Sequence, residues 1–120
     1  MSPAKSGPGV GLPYRASGSE IVEALGARAL EASDFLKVLS HEGRLRILCH
    51  LATRERSVTE LEGLLGARQA AVSQQLARLR LEGFVSTRRE GRTIFYAISD
   101  PRVLRQIRLM LEIFSGTAKG

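Results

Sequence analysis

The chain has 120 residues, a net charge of +6, 43% hydrophobic and only 5% aromatic residues, and no Trp. That length suits one domain around one core. No run of about 18 apolar residues exists to span a membrane, and the scarcity of rings argues against single-strand binding by base stacking. Cys49 is the single cysteine, which excludes an internal disulfide and a Cys-rich zinc site and makes a reducing cytoplasm the expected compartment.

Residues 1–18 are rich in Pro and Gly and lack an apolar signal core, so they read as a flexible arm. Residues 19–116 form the expected domain, and 117–120 are a short tail. From Ser19, Val22, Leu25, Ala29, Ala32, Phe35, Leu36 and Leu39 recur at helical spacing, and Ser17 with Glu20 has the spacing of a capping box. Ser40 is expected to cap a second helix, GRLRILCHLA, whose stripe holds Leu45, Leu48, Cys49 and Ala52. Thr53–Arg56 read as a polar turn. Ser57, with Glu60 three residues on, predicts the start of a short third helix, and Gly66 its end.

The next helix runs from about Arg68 to Glu82, with Val72, Leu76 and Leu79 facing the core at i, i+4 and i+7. Gly83 stops it. Two β-rich runs, Phe84–Arg88 and Thr93–Ile98, flank Arg89-Glu90-Gly91-Arg92, a hairpin signal. Asp100-Pro101 then opens a last helix as N-cap and first residue. Val103, Leu104, Ile107, Met110, Leu111 and Phe114 make its apolar stripe, which Leu109 and Ile113 widen. The fold class expected is mainly α with a small β-hairpin: a winged helix-turn-helix, which presents one helix to the DNA major groove.

The helix 68–82 is the predicted reading head. Its face away from the core carries Gln69, Ala70, Ser73, Gln74, Ala77 and Arg78. Gln pairs with adenine, Arg reads guanine or grips phosphate, and Ala and Ser allow close approach. From Arg68 to Arg92 there are six Arg against two Glu, so +4 of the total +6 falls within this stretch. Arg88, Arg89 and Arg92 are predicted to cluster at the hairpin tip, where their mutual repulsion points to a polyanion partner. The first and last helices carry more apolar surface than so small a fold needs. A homodimer interface is therefore expected through Leu25, Leu104, Ile107, Met110 and Leu111, and with it an inverted-repeat operator in double-stranded DNA.

Residues 35–98 resemble the ArsR family of bacterial winged-helix repressors in four segments: FLKVLSHEGRLRILCHL, SVTELEGLL, ARQAAVSQQLARLRLEGFV and TRREGRTIFYAI. The resemblance implies a homodimeric repressor that leaves DNA when an inducer binds. Many relatives sense metals, but the usual Cys-x-Cys position here reads Thr59-Glu60-Leu61-Glu62 and the last helix has no His, so no metal and no cofactor is expected. The segments HEGRLRILCHLA and DPRV are more similar to the sulfide- and persulfide-responsive branch of the BigR and SqrR type. That branch joins two cysteines through a polysulfide bridge. The resemblance makes Cys49 the first sensor thiol, and Ser115 occupies the second position. Serine cannot form the bridge, so the chain is either a one-thiol relative or carries an engineered replacement. The alternative is a family member with a non-sulfur inducer or none, in which Cys49 is a buried structural thiol. An enzyme is not expected: no Ser-His-Asp set, phosphate loop or carboxylate pair is evident.

Overall fold

The computed structural model describes residues 17–116. The predicted arm lies outside the described residues except for Ser17 and Gly18, which already belong to the first helical turn, and the tail 117–120 lies outside them too. Two compact parts meet in sequence between Leu36 and Lys37.

In the first part, Ser17 and Glu20 form the predicted capping box around α1 (Gly18–Glu20). The Glu20 amide donates to Ser17 Oγ at 3.0 Å, and the Ser17 amide donates to Glu20 Oε1 at 2.8 Å. The backbone then loosens into a π turn (Ile21–Leu25) and tightens into a 3-10 turn (Gly26–Arg28) before α2 (Ala29–Leu39). The expected single regular helix is thus three geometries in series. Val22, Leu25 and Leu30 stay exposed.

The second part holds α3 (Glu42–Leu51), β1 (Arg56–Ser57), α4 (Val58–Leu65), α5 (Gln69–Leu81), β2 (Val85–Glu90), β3 (Thr93–Ile98) and α6 (Pro101–Phe114). The strands form an antiparallel sheet in the order β1-β3-β2. Strand β1 was not expected. Arg56 and Ser57 read as turn and cap, yet they pair with Tyr96 and Phe95. Two residues are too few for an alternating pattern to reveal a strand.

The N-cap of α3 also differs from expectation. His41, not Ser40, caps it, with Nδ1 accepting from the Gly43 amide at 3.1 Å. Ser40 instead closes α2, its hydroxyl donating to the Lys37 carbonyl at 2.9 Å. Ser57 caps α4 in a complete box with Glu60. Gly66 ends α4 at φ 64°, a left-handed conformation that glycine adopts without Cβ strain. Asp100 caps α6 through the Arg102 amide, with Pro101 in the first turn as predicted.

The core gathers Ile47, Leu48 and Leu51 of α3, Leu61 of α4, Val72, Leu76 and Leu79 of α5, Phe84 and Val85 at the sheet, and Val103 of α6. Each large aliphatic side chain buried there contributes about 1.5–3 kcal/mol. No helix among the described residues is long and apolar enough to cross a membrane.

Two tests follow from the caps. Ser57→Ala removes the Glu60 amide's acceptor and should cost about 1 kcal/mol of stability, read from thermal or urea unfolding. The Ser57 amide holds the Glu60 carboxyl below its ordinary 4.5, and Arg102 holds that of Asp100 below 3.8. Both contributions are complete above those unfolded values and fade as pH falls through the lower folded ones. Melting temperature should therefore drop on acidification below about pH 4.5; a flat profile down to about pH 2 would contradict the cap assignments.

Candidate nucleic-acid interface

Helix α5 is anchored on one side only. Val72, Leu76 and Leu79 are 1%, 0% and 0% exposed, and α5 contacts α3 and α4. Helix rotation is thereby pinned, because turning any of these side chains outward would forfeit its burial. The opposite face presents Gln69, Ala70, Ser73, Gln74, Ala77 and Arg78, all exposed as expected. Arg78 is paired along the helix with Glu82 at 3.1 Å. The turn into α5 is short, Gly66 to Arg68, so α4 and α5 form the expected helix-turn-helix.

A third glutamine has a different role. Gln75 is half-buried, and its Oε1 accepts from Arg44 Nη1 at 3.1 Å. Arg44 Nε also donates to the Val38 carbonyl at 2.8 Å. One guanidinium thus joins the end of α2, α3 and the flank of α5. Burial, followed by the nearby Arg78 charge, lowers the Arg44 pKa. Gln75 follows Val72 by three residues and precedes Leu79 by four, so it flanks the buried stripe where Gln74 does not. What the local pattern does not show is that Arg44 of α3 meets it there.

Strands β2 and β3 form the wing. Glu90 pairs with Thr93, leaving Gly91 and Arg92 as a two-residue turn, and Gly91 has φ 64°, as tight hairpins require. The base is closed by the Ser99 amide donating to the Phe84 carbonyl at 2.9 Å.

Of the three predicted tip arginines, one is already paired. Arg88 and Arg89 are neighbours on one strand and so point to opposite faces. Arg88 is also neutralised. Its Nη2 donates to Glu55 Oε2 at 2.6 Å, its Nε to the same carboxylate at 2.9 and 3.1 Å, and its Nη1 to Glu90 at 3.1 Å. The guanidinium lies 4.7 Å from the Phe95 ring centre. Its hydrogen bonds to Glu55 and then Glu90 raise its pKa further, and in return hold the Glu55 carboxyl below its ordinary value. Arg89 and Arg92 are exposed at the tip.

A separate apolar groove of about 690 Å³ runs between α3 and α6. Cys49 lines it together with Leu45, Ala52, Leu104, Ile107, Met110, Leu111 and Phe114. The thiol is exposed, not enclosed as the structural reading of a stripe cysteine expects. The stripe of α3 turns toward two neighbours: Leu48 enters the core while Cys49 meets the groove. Ser115 follows Phe114 directly and ends α6. Of the expected dimer residues, Leu104, Ile107, Met110 and Leu111 line this groove, and Leu25 is exposed in the first part. No group of three or more His, Cys, Asp or Glu able to hold a metal occurs among the described residues.

Residues 41–87 match the profile described as bacterial regulatory protein, arsR family. The chain is 45% identical over 91 residues to the biofilm growth-associated repressor of Agrobacterium fabrum, covering 76% of this chain and 78% of that protein. It is 37% identical over 103 residues to the transcriptional activator HlyU of Vibrio cholerae, covering 86% and 95%. The crystal structure of the transcriptional repressor BigR from Xylella fastidiosa superposes with a TM-score of 0.73 at 40% identity, over 77% of this chain and 94% of that one.

The anchoring of α5 has a direct test. Leu76→Ala leaves a cavity beneath the exposed face and should cost about 2–5 kcal/mol. Denaturant unfolding reads the loss, and amide exchange along α5 should accelerate with it. A cost below about 1 kcal/mol would mean that α5 is not held by this contact.

Proposed function

The chain belongs to the arsR family of bacterial regulatory proteins, and on that premise we propose a cytoplasmic, homodimeric, sequence-specific repressor that leaves its operator when a reactive sulfur species modifies Cys49. The observation that carries the DNA reading is the exposed face of α5, where Gln69, Ser73, Gln74 and Arg78 stand opposite a fully buried stripe. Gln74 and Gln69 are the base-reading side chains, Ala70 and Ser73 permit close approach, and Arg78 meets guanine or phosphate. Arg89 and Arg92 grip the flanking backbone. Arg88, expected from sequence as a third contact, is already engaged by two carboxylates.

One observation favours a dimer. Helix α6 leaves Leu109, Leu111, Ile113 and Phe114 exposed, a strip too apolar to face water without reason. A two-fold axis would set two copies of α5 about one DNA turn, roughly 34 Å, apart.

The sulfur reading rests on the position of Cys49 between α3 and α6, in a groove whose α6 wall also carries the expected dimer residues. Its thiolate would attack the sulfane sulfur of an organic persulfide, forming a new S–S bond. The persulfide's own S–S bond breaks, and its electron pair leaves on the organic thiolate. The added sulfur would enlarge the side chain between α3 and α6 and bias the spacing of the reading helices. Ser115, standing where a second thiol would close a bridge, favours a second reading: a regulator of this family with another inducer or none.

Gel shifts on operator duplex with and without persulfide separate the two. A release that vanishes in Cys49→Ser supports the first reading; no release by the unaltered chain supports the second. Ser115→Cys should convert the protein to a two-thiol switch, seen by mass spectrometry as added sulfur bridging the two positions. Gln74→Ala should lose about 1–3 kcal/mol of discrimination at one base pair. Arg89→Ala should weaken all duplexes alike and lower the salt slope by about 1. Unchanged sequence preference in Gln74→Ala would remove it from the reading set.

A further inference from the structure

We propose that Arg88 is a positioning residue: clasped by Glu55, it sets the angle of the wing so that Arg89 and Arg92 reach the DNA backbone. The inference rests on the DNA-binding reading above.

Glu55 lies just before β1 and Arg88 lies on β2, 33 positions away in sequence. These are the two outer strands, and β3 separates them. Arg88 crosses that middle strand over the face of Phe95, which pairs on one side with Arg88 and on the other with Ser57. The clasp therefore ties the wing's outer edge to the turn that leads into the helix-turn-helix. Ladder hydrogen bonds alone leave a two-stranded ribbon free to twist. A bidentate guanidinium–carboxylate contact stacked on a ring restricts that freedom, because both groups are planar and must share an orientation.

Charge separates positioning from direct contact. Around one guanidinium stand two carboxylates, Glu55 at 2.6 Å and Glu90 at 3.1 Å. Arg88 is therefore fully engaged and has no surplus charge to offer a phosphate. Nor is it a major source of fold stability, since pairs this exposed contribute little. What it supplies is geometry.

The test is a substitution for which charge and geometry predict opposite signs. Glu55→Gln removes a negative charge beside DNA, so electrostatics alone would tighten binding. Loss of the clasp would loosen it. The probe is a duplex selected by this protein from a random-sequence pool, with affinity measured across a salt series. Expected is binding weakened about three-fold or more in Glu55→Gln, with the salt slope lowered by about one as the tip arginines lose phosphate contact. Arg88→Gln should weaken binding similarly, and the double substitution should be no worse than either single one. Amide exchange should quicken between Thr87 and Phe95 in Glu55→Gln, with α3 and α5 unaffected.

Equal or tighter binding by Glu55→Gln would overturn the proposal. So would a slope steeper by about one, which would mean that the freed Arg88 had taken a phosphate. Unaltered exchange in the wing would overturn it too. If the unaltered chain selects no duplex even at low salt, the DNA reading itself falls and takes the clasp's role with it.

Discussion

One buried stripe governs this molecule. Val72, Leu76 and Leu79 put one side of α5 into the core, and an α-helix has only one opposite side. Once that stripe is fixed, the placement of Gln69, Ser73, Gln74 and Arg78 in solvent follows without further interaction. The stripe also requires something to pack against. Ile47 and Leu48 of α3 and Leu61 of α4 supply it, and β2 emerges directly beyond α5 from the same core through Phe84 and Val85. Polar face and wing are therefore two outputs of one hydrophobic contact.

Charge is distributed less simply than the net +6 suggests. Arg54, Arg78, Arg88 and Arg102 each lie within 3.1 Å of a carboxylate, so much of the formal charge is neutralised locally. Arg44 is spent inside the fold on Val38 and Gln75. The uncompensated guanidinium groups of the wing are those nearest its turn, Arg89 and Arg92. A polyanion meeting this surface would find attraction concentrated at the tip and an already paired guanidinium at Arg88. That arrangement favours a defined approach over diffuse adhesion.

The α3–α6 groove obeys a different logic. Its walls are nearly all apolar, with one thiol among them. Helices α3 and α5 are in contact, so the helix that carries Cys49 also supports α5. Small displacements in such close-packed contacts are not absorbed smoothly.

Much of this was legible in the chain because it depends on local rules. The i, i+4, i+7 stripe of α5, the boxes at Ser17 and Ser57, the Gly66 and Gly83 stops, the Asp100-Pro101 start and the hairpin around Gly91 each need only a few consecutive residues. The determinants of helix ends and tight turns are short-range, so the amino-acid sequence by itself determined the order of elements and which face of α5 is polar. Tertiary structure alone decided the pairing of Arg56–Ser57 with β3, the meeting of Gln75 with Arg44, the exposure of Cys49 beside a helix more than 50 positions on, and the capture of Arg88 by Glu55. Each joins groups distant along the chain. Their meeting depends on how helices and strands are oriented around the core, and no local spacing encodes that.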